Sequence, residues 1–203
     1  MVVHSLFPEP VYVSTLDRAL TKGELKTINK YKKETYKNEG NTTSNDSYVL
    51  ENKALKNLKE DIHVCILDYF DKVICTSNSI IPYITQSWIN YTKENQFHHK
   101  HNHQNSLVSG IFYISADKKV DSVTFNKLSL DERIELNVTK YNMFNSTSFK
   151  FPVETGNIFL FRSPLVHSVE KKKGNNERLS LSFNIFIKGT VGNKKNLNEL
   201  ILE

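Results

Sequence analysis

Four of the seven histidines of this 203-residue chain fall at positions 98, 99, 101 and 103. In the run His98-His99-Lys100-His101-Asn102-His103, an extended strand would put His99, His101 and His103 on one face. Neutral imidazole is the commonest protein ligand for a metal ion, and a His-x-His pair can offer two ring nitrogens to one ion without bending the backbone. A solvated, histidine-rich loop has the same composition. The residues that follow favour a site: Leu107 to Ser115, Leu-Val-Ser-Gly-Ile-Phe-Tyr-Ile-Ser, read as a buried strand and set the histidines at the mouth of a rigid element. A third ligand must come from elsewhere. His4 lies in a terminal segment and His63 in a helical pattern. His167 ends Gly156-Asn-Ile-Phe-Leu-Phe-Arg-Ser-Pro-Leu-Val-His167, where a tight turn, an apolar strand and a Ser-Pro loop deliver an imidazole to a strand end.

Beyond His167, Arg178 opens the alternating run Arg-Leu-Ser-Leu-Ser-Phe-Asn. If Arg178 faces inward, Ser180, Ser182 and Asn184 do as well, and a polar inner face is costly unless it serves a polar ligand. The alternative turns that face to solvent and makes the core from Leu179, Leu181, Phe183 and Ile185.

The elements that must position these residues change character along the chain. Val11-Tyr-Val reads as a short edge strand after a Pro-rich opening. Thr21-Lys-Gly-Glu24 has the form of a capping box and starts a helix expected over 22–37, with Leu25, Ile28 and Tyr31 on one face. Residues 38–47 are polar and turn-forming, a surface loop or a flap over a site. A second helix is expected over 51–75, its stripe of Leu55, Leu58, Ile62, Cys65 or Ile66, Tyr69 and Val73 packing against a sheet as scaffold. From residue 81 the period becomes that of strands: 84–91, 107–115, 123–125, 157–161 and 178–188, with weaker candidates at 133–138 and 147–152. A short helical turn is expected over 197–202. Strands at short spacing after two helices predict a mostly antiparallel sandwich or barrel buttressed by the helical part, about 15–75, in one domain, 1–203.

Composition narrows the class. With 38% hydrophobic residues and a net charge of +5, the chain is an ordinary globular protein that tolerates an anionic cosubstrate and demands no nucleic acid. The lysine clusters at 30–33 and 171–173 read as solvated surface. Cys65 and Cys75 form no ligand motif and read as buried or inert thiols. No signal peptide or membrane-spanning run is visible, so a cytosolic location is expected.

Six short motifs stand in order: Trp88-Ile-Asn90, His101-Asn-His103-Gln-Asn-Ser106, Ser109-Gly-Ile-Phe-Tyr113, Gly156-Asn-Ile-Phe-Leu-Phe161, His167-Ser-Val169 and Arg178-Leu-Ser-Leu-Ser-Phe-Asn184. In this arrangement the chain resembles the 2-oxoglutarate/Fe(II)-dependent oxygenases, more narrowly their bacterial and phage branch with a Phe-Pro-x-Pro-like opening. The resemblance implies a double-stranded β-helix, a jelly-roll relative of the cupins with N-terminal helices, an α+β fold. It implies Fe(II) as the metal, with 2-oxoglutarate and dioxygen as cosubstrates and hydroxylation of a further substrate as the reaction. It makes His101 the first ligand and His167 the distal one. Arg178 would clamp the far carboxylate of 2-oxoglutarate, with Ser180 assisting and Tyr113 within reach if no bulge intervenes; Asn90 and Asn184 would line the site.

Most of that family has His-x-Asp or His-x-Glu where this chain has His101-x-His103. Three histidines on iron, two with His103 beside them, or another metal are the readings this allows, and His99 can replace one partner. The rival function is a cupin-like protein that binds a metal or small ligand without turnover. The prime substrate is open, and a homo-oligomer is compatible with the sequence.

Overall fold

The computed structural model describes residues 1–77, 79–127 and 137–203. The chain runs β1 (Val11–Thr15), α1 (Lys22–Tyr31), β2 (Thr35–Lys37), β3 (Thr42–Ser44), α2 (Lys56–Tyr69), β4 (Ile81–Thr92), β5 (His98–His101) and β6 (Val108–Ser115). It continues through β7 (Ser122–Asn126), β8 (Ser148–Pro152), β9 (Asn157–Arg162), β10 (Val166–Val169), β11 (Arg178–Val191) and β12 (Leu200–Leu202). The larger sheet has the order β1-β9-β6-β11-β4-β3-β2, with β12 added to β11, and the smaller has the order β5-β10-β7-β8. The ladders between these strands are antiparallel. The two sheets face one another as the jelly roll of a double-stranded β-helix, with the helices outside: the expected α+β fold.

Two apolar cores result. Leu58, Ile62, Ile66 and Tyr69 recur at helical spacing on α2 and pack with Phe112, Leu160, Leu181, Phe183 and Ile185 on the outer face of the larger sheet. Each such side chain contributes about 1.5–3 kcal/mol on burial. The second core lies between the sheets and is made by Ile111, Tyr113, Val123, Phe125, Val153, Phe159, Phe161 and Leu165. The strands β6, β9 and β11 therefore bury both faces, which is why they read as near-continuous apolar runs. Close approach sets one residue type: a Cβ at Gly110 would lie 2.1 Å from the Phe183 ring, so only glycine lets that ring cross β6.

Local structure departs from expectation in several places, and the second helix, expected over 51–75, is α-helical over Lys56–Tyr69 with 3-10 turns before it and a π-turn, Phe70–Ile74, after it. The first helix stops at Tyr31, and 35–37 pairs with 42–44 as a hairpin. That hairpin replaces the expected surface loop or flap. β3 adds to the edge of β4, so Asn41, Thr43 and Ser44 are buried at 1%, 2% and 1% exposure. At the C-terminus a strand, Leu200–Leu202, stands where a helical turn was expected, because it can complete the end of the long β11. Cys75 is exposed rather than buried. The strand expected at 133–138 falls, up to residue 136, outside the described residues. Among the described residues, no helix is long and apolar enough to cross a membrane.

The capping box forms as predicted: the Thr21 hydroxyl accepts from the Glu24 N–H, and the Glu24 carboxylate accepts from the Thr21 N–H. Glu24 is also gripped by Arg18 through two hydrogen bonds of 2.8 Å. This rotates the buried face of α1 onto Glu24, Thr27 and Ile28 and leaves Leu25 40% exposed. The Arg18 guanidinium first, and the Thr21 donors after it, hold the Glu24 carboxyl down at about 2, below its ordinary value of 4.5. A depressed carboxylate stabilises the fold above its unfolded value and ceases to do so as pH falls through the folded one. Glu24→Gln should therefore cost on the order of 1–2 kcal/mol at neutral pH, with solvent screening at Arg18 allowed for. The deficit should shrink as pH drops from about 4.5 toward 2. Urea unfolding of both proteins across that range checks this, and a pH-independent difference would contradict it.

Candidate functional site

β5 and β10 are antiparallel neighbours, with His101 directly opposite His167. Their rings lie 4.3 Å apart between centroids. His103 stands past the end of β5, where its N–H donates to the Ser163 carbonyl at 3.0 Å. Its ring is parallel to that of His167, at an interplanar angle of 2°, and the two Nε2 atoms are 3.4 Å apart. His101 Nδ1 lies 2.9 Å from the His99 carbonyl, and His167 Nδ1 lies 3.1 Å from the Leu165 carbonyl. A carbonyl only accepts, so each Nδ1 carries the proton and each Nε2 keeps its lone pair. One nitrogen from each of His101, His103 and His167 lies within 4.8 Å of the others. Nitrogens bound about 2.1 Å from one ion are themselves roughly 3 Å apart, so the set fits a single transition-metal ion.

Burial keeps these rings neutral, as ligation requires. It pushes His103 down to about 4, aided by His101. It lowers His101 and takes His167 well below the ordinary imidazole range, with the neighbouring rings adding to the effect.

The expected single face of His99, His101 and His103 is not what forms. The strand ends at His101, and the stretch from His98 to Ser115 is two strands in different sheets, so Tyr113 shares no strand parity with His101. His98 stacks on His101 at 4.4 Å and is held down at about 3, first by burial and then by His101, His99 and Arg178. His98, His99 and His101 also bring one nitrogen each within 4.8 Å, and His99 Nδ1 is 3.7 Å from Glu39 Oε2. With its Nδ1 committed to a carbonyl, His101 has one nitrogen to give and can serve one set at a time.

Arg178 begins β11 inside the roll, 3% exposed. It pairs with Thr92 across the ladder, and its Nη2 donates to the Thr92 hydroxyl at 3.2 Å. Burial pushes the guanidinium pKa down. Ser180, Ser182 and Asn184 are buried on the same side, while Leu181, Phe183 and Ile185 fill the helix-side core. Both sequence-level alternatives thus hold in part: the polar face is inward, and the apolar face is core, because the sheet has no solvent side here.

Tyr113 is buried near Arg178, its hydroxyl pushed up to about 12 by burial, with the cation opposing. Asn90 is committed to the wall, donating to Ser182 Oγ at 3.0 Å and accepting from Thr43 Oγ1 at 3.1 Å. Asn184 accepts from Ser109 Oγ at 3.4 Å and lies against His103. Trp88 stacks on His103 at 5.6 Å.

Sequence reasoning assigned no role to Trp88, Thr92, Asp121 or Lys172. Thr92 follows Asn90 at strand spacing and was within reach of that argument. Lys172 corrects the reading of 171–173 as solvated surface, being 3% exposed between exposed Lys171 and Lys173.

Residues 86–184 match the family model described as "Putative 2OG-Fe(II) oxygenase". No curated protein matches the chain. Among solved structures, HygX from Streptomyces hygroscopicus with nickel, 2-oxoglutarate and hygromycin B bound aligns with a TM-score of 0.57 at 11% identity, covering 87% of this chain and 82% of that one. The non-haem alpha-ketoglutarate-dependent epimerase SnoN from nogalamycin biosynthesis aligns with a TM-score of 0.60 at 12% identity, covering 88% and 78%. The viral collagen prolyl hydroxylase of Paramecium Bursaria Chlorella virus-1, in its 2OG complex, aligns with a TM-score of 0.52 at 11% identity, covering 86% and 94%. At such identities the likeness to these structures is one of fold. The family match spans the strands that carry the histidines and Arg178, and over most of its length the chain has the fold of these solved 2OG-Fe(II) oxygenase structures.

Proposed function

We propose that this protein is a non-haem Fe(II)- and 2-oxoglutarate-dependent dioxygenase that hydroxylates a further substrate, with residues 1–203 acting as one domain. His101, His103 and His167 hold the ion. Arg178, with Ser180 and Tyr113 beside it, receives the far carboxylate of 2-oxoglutarate, and Asn184 orients His103. The observation that carries the reading is the convergence of three neutral imidazole nitrogens on β5, β10 and the adjoining loop. They lie in the same roll as a buried guanidinium with donors to spare.

Fe(II) and 2-oxoglutarate, when bound, supply the oxidising chemistry, consuming dioxygen and releasing succinate and carbon dioxide. The chain's own work is positional. The carbonyls of His99 and Leu165 fix the imidazole tautomers, and the planar guanidinium fork suits a carboxylate. The aromatic core between the sheets excludes water. Trp88, half-buried against His103, offers a flat apolar platform to a substrate at the mouth.

A third imidazole leaves the ion without a protein carboxylate, so the anionic cosubstrate supplies the negative charge. The same feature favours one rival, a cupin-like protein that binds metal without turnover, and succinate release separates the two.

Alanine at His101 or His167 should abolish stoichiometric Fe(II) or Co(II) binding while leaving the circular dichroism spectrum unchanged. Retained occupancy in both variants would remove the assignment. His103→Ala should also lose the ion and His99→Ala should keep it; the reverse would move the site to His98, His99 and His101.

Arg178→Lys keeps the charge but loses the fork, and should weaken 2-oxoglutarate by about 1.5–3 kcal/mol. In the wild type, Mn(II) and 2-oxoglutarate together should stabilise more than either alone. A ligand at about 100 times its Kd adds roughly 2.7 kcal/mol, or about 5–10 °C in Tm for a domain of this size. Succinate should do much less. Anaerobic melts without a 2-oxoglutarate shift in the presence of metal would turn the assignment toward the binding protein.

A further inference from the structure

Behind Arg178 lies a charged pair that neither the metal nor the cosubstrate contacts above require. Asp121, just before β7, and Lys172, in the loop after β10, both have side chains 0% exposed, with Lys172 Nζ 3.4 Å from Asp121 Oδ1. The lysines around them behave differently: Lys118 and Lys150 are exposed and pair with Glu154 and Glu170 at the surface. Lys172 is pinned by its backbone, whose N–H donates to the Gln96 carbonyl and whose carbonyl accepts from the Asn95 N–H. Its ammonium donates to Asn176 Oδ1 at 2.7 Å and to the carbonyls of Lys173 and Gly174. These three contacts use all three of its hydrogens, so it reaches a ligand through its field alone.

Asp121 Oδ2 accepts from the Asp117 N–H and from Asn176 Nδ2. Its Oδ1 has no hydrogen bond among the described residues and faces two cations, Lys172 and Arg178 Nη1, the latter at 4.0 Å. That distance is too long for a hydrogen bond, so the aspartate steadies the guanidinium without occupying its donors. Two buried cations share one buried anion, and one positive charge is left over. An excess charge inside a fold is costly until a counter-ion arrives.

We infer that Asp121 and Lys172 are positioning residues that set the charge of this end of the pocket, leaving one positive charge in excess and so tuning it for a ligand whose far end is a single carboxylate. This rests on the reading of Arg178 as the cosubstrate clamp. Without Lys172, Asp121 would neutralise Arg178 and the clamp would lose its electrostatic advantage while keeping its shape. Lys172 stands three ion-pair links from a carboxylate on Arg178, and a unit charge roughly 10 Å away, at an effective dielectric near 20, is worth about tenfold or more in affinity.

The test is calorimetric and needs no turnover. Mn(II)-loaded protein is titrated with 2-oxoglutarate and with 2-oxopentanoate, which has the same chain and chelating end but a methyl group in place of the far carboxylate. The ratio of the two Kd values reports charge preference, and general damage to the pocket would leave that ratio unmoved. Lys172→Met should cut the ratio by about tenfold or more, whereas Lys172→Arg should retain it. An unchanged ratio in Lys172→Met overturns the inference. If Lys172→Met no longer takes up Mn(II), Asp121→Asn gives the answer with the opposite sign: it enlarges the excess charge and should raise the ratio, and a ratio at or below wild type overturns the inference. A wild-type protein with no preference for 2-oxoglutarate would instead defeat the oxygenase reading itself.

Discussion

The structure depends on one strand being buried on both faces. β11 sits between β4 and β6 in the larger sheet, with Leu181, Phe183 and Ile185 turned to the helices and Arg178, Ser180, Ser182 and Asn184 turned into the roll. The outer set supplies apolar burial, and the inner set must find polar partners there. Ser182 finds Asn90, Asn184 finds Ser109, and Arg178 finds Thr92. Every other feature of the pocket is arranged around that polar row.

Opposite it, the smaller sheet brings the histidines together by register. His101 and His167 are cross-strand partners, so their proximity follows from the same hydrogen bonds that build the sheet and costs no extra loop ordering. A β-ladder is a stiff support for a site. His103, beyond the strand end, is held instead by its backbone bond to Ser163 and by packing between Trp88 and His167.

The electrostatics around the candidate site are weighted toward positive charge, with Asp121 the buried anion beside Arg178. Five groups that can carry positive charge, His98, His101, His103, His167 and Arg178, lie within the roll, and burial keeps the four imidazoles neutral. Arg178 is pushed down by burial too, but a guanidinium stays protonated across the accessible range. The interior thus holds neutral donors of lone pairs at one place and a permanent cation at another.

Much of this was legible in the residues. The alternation of 178–188, the apolar run 107–115, the capping box and the helical stripe from Leu55 to Tyr69 each state a local period, while Val73, expected on that stripe, is exposed. Local periods survive folding when burial agrees with them, as it does here. The ordered motifs put His101, His103, His167 and Arg178 forward as candidates without any contact information, and the fold sets the three imidazoles side by side. Tertiary structure decided what local period cannot encode. Whether the polar face of β11 points to solvent or inward depends on the second sheet covering it. The hairpin at 35–44 became strand because the edge of β4 was there to pair with. Cross-strand register, not spacing along one strand, decided which histidines meet. Lys172 looked like one of three surface lysines, and only the arrival of Asp121 from a distant position, beside the local Asn176, makes its burial tolerable. A sequence specifies the groups that can carry charge or donate an electron pair; the fold decides which of them share a space without water, and there their chemistry changes.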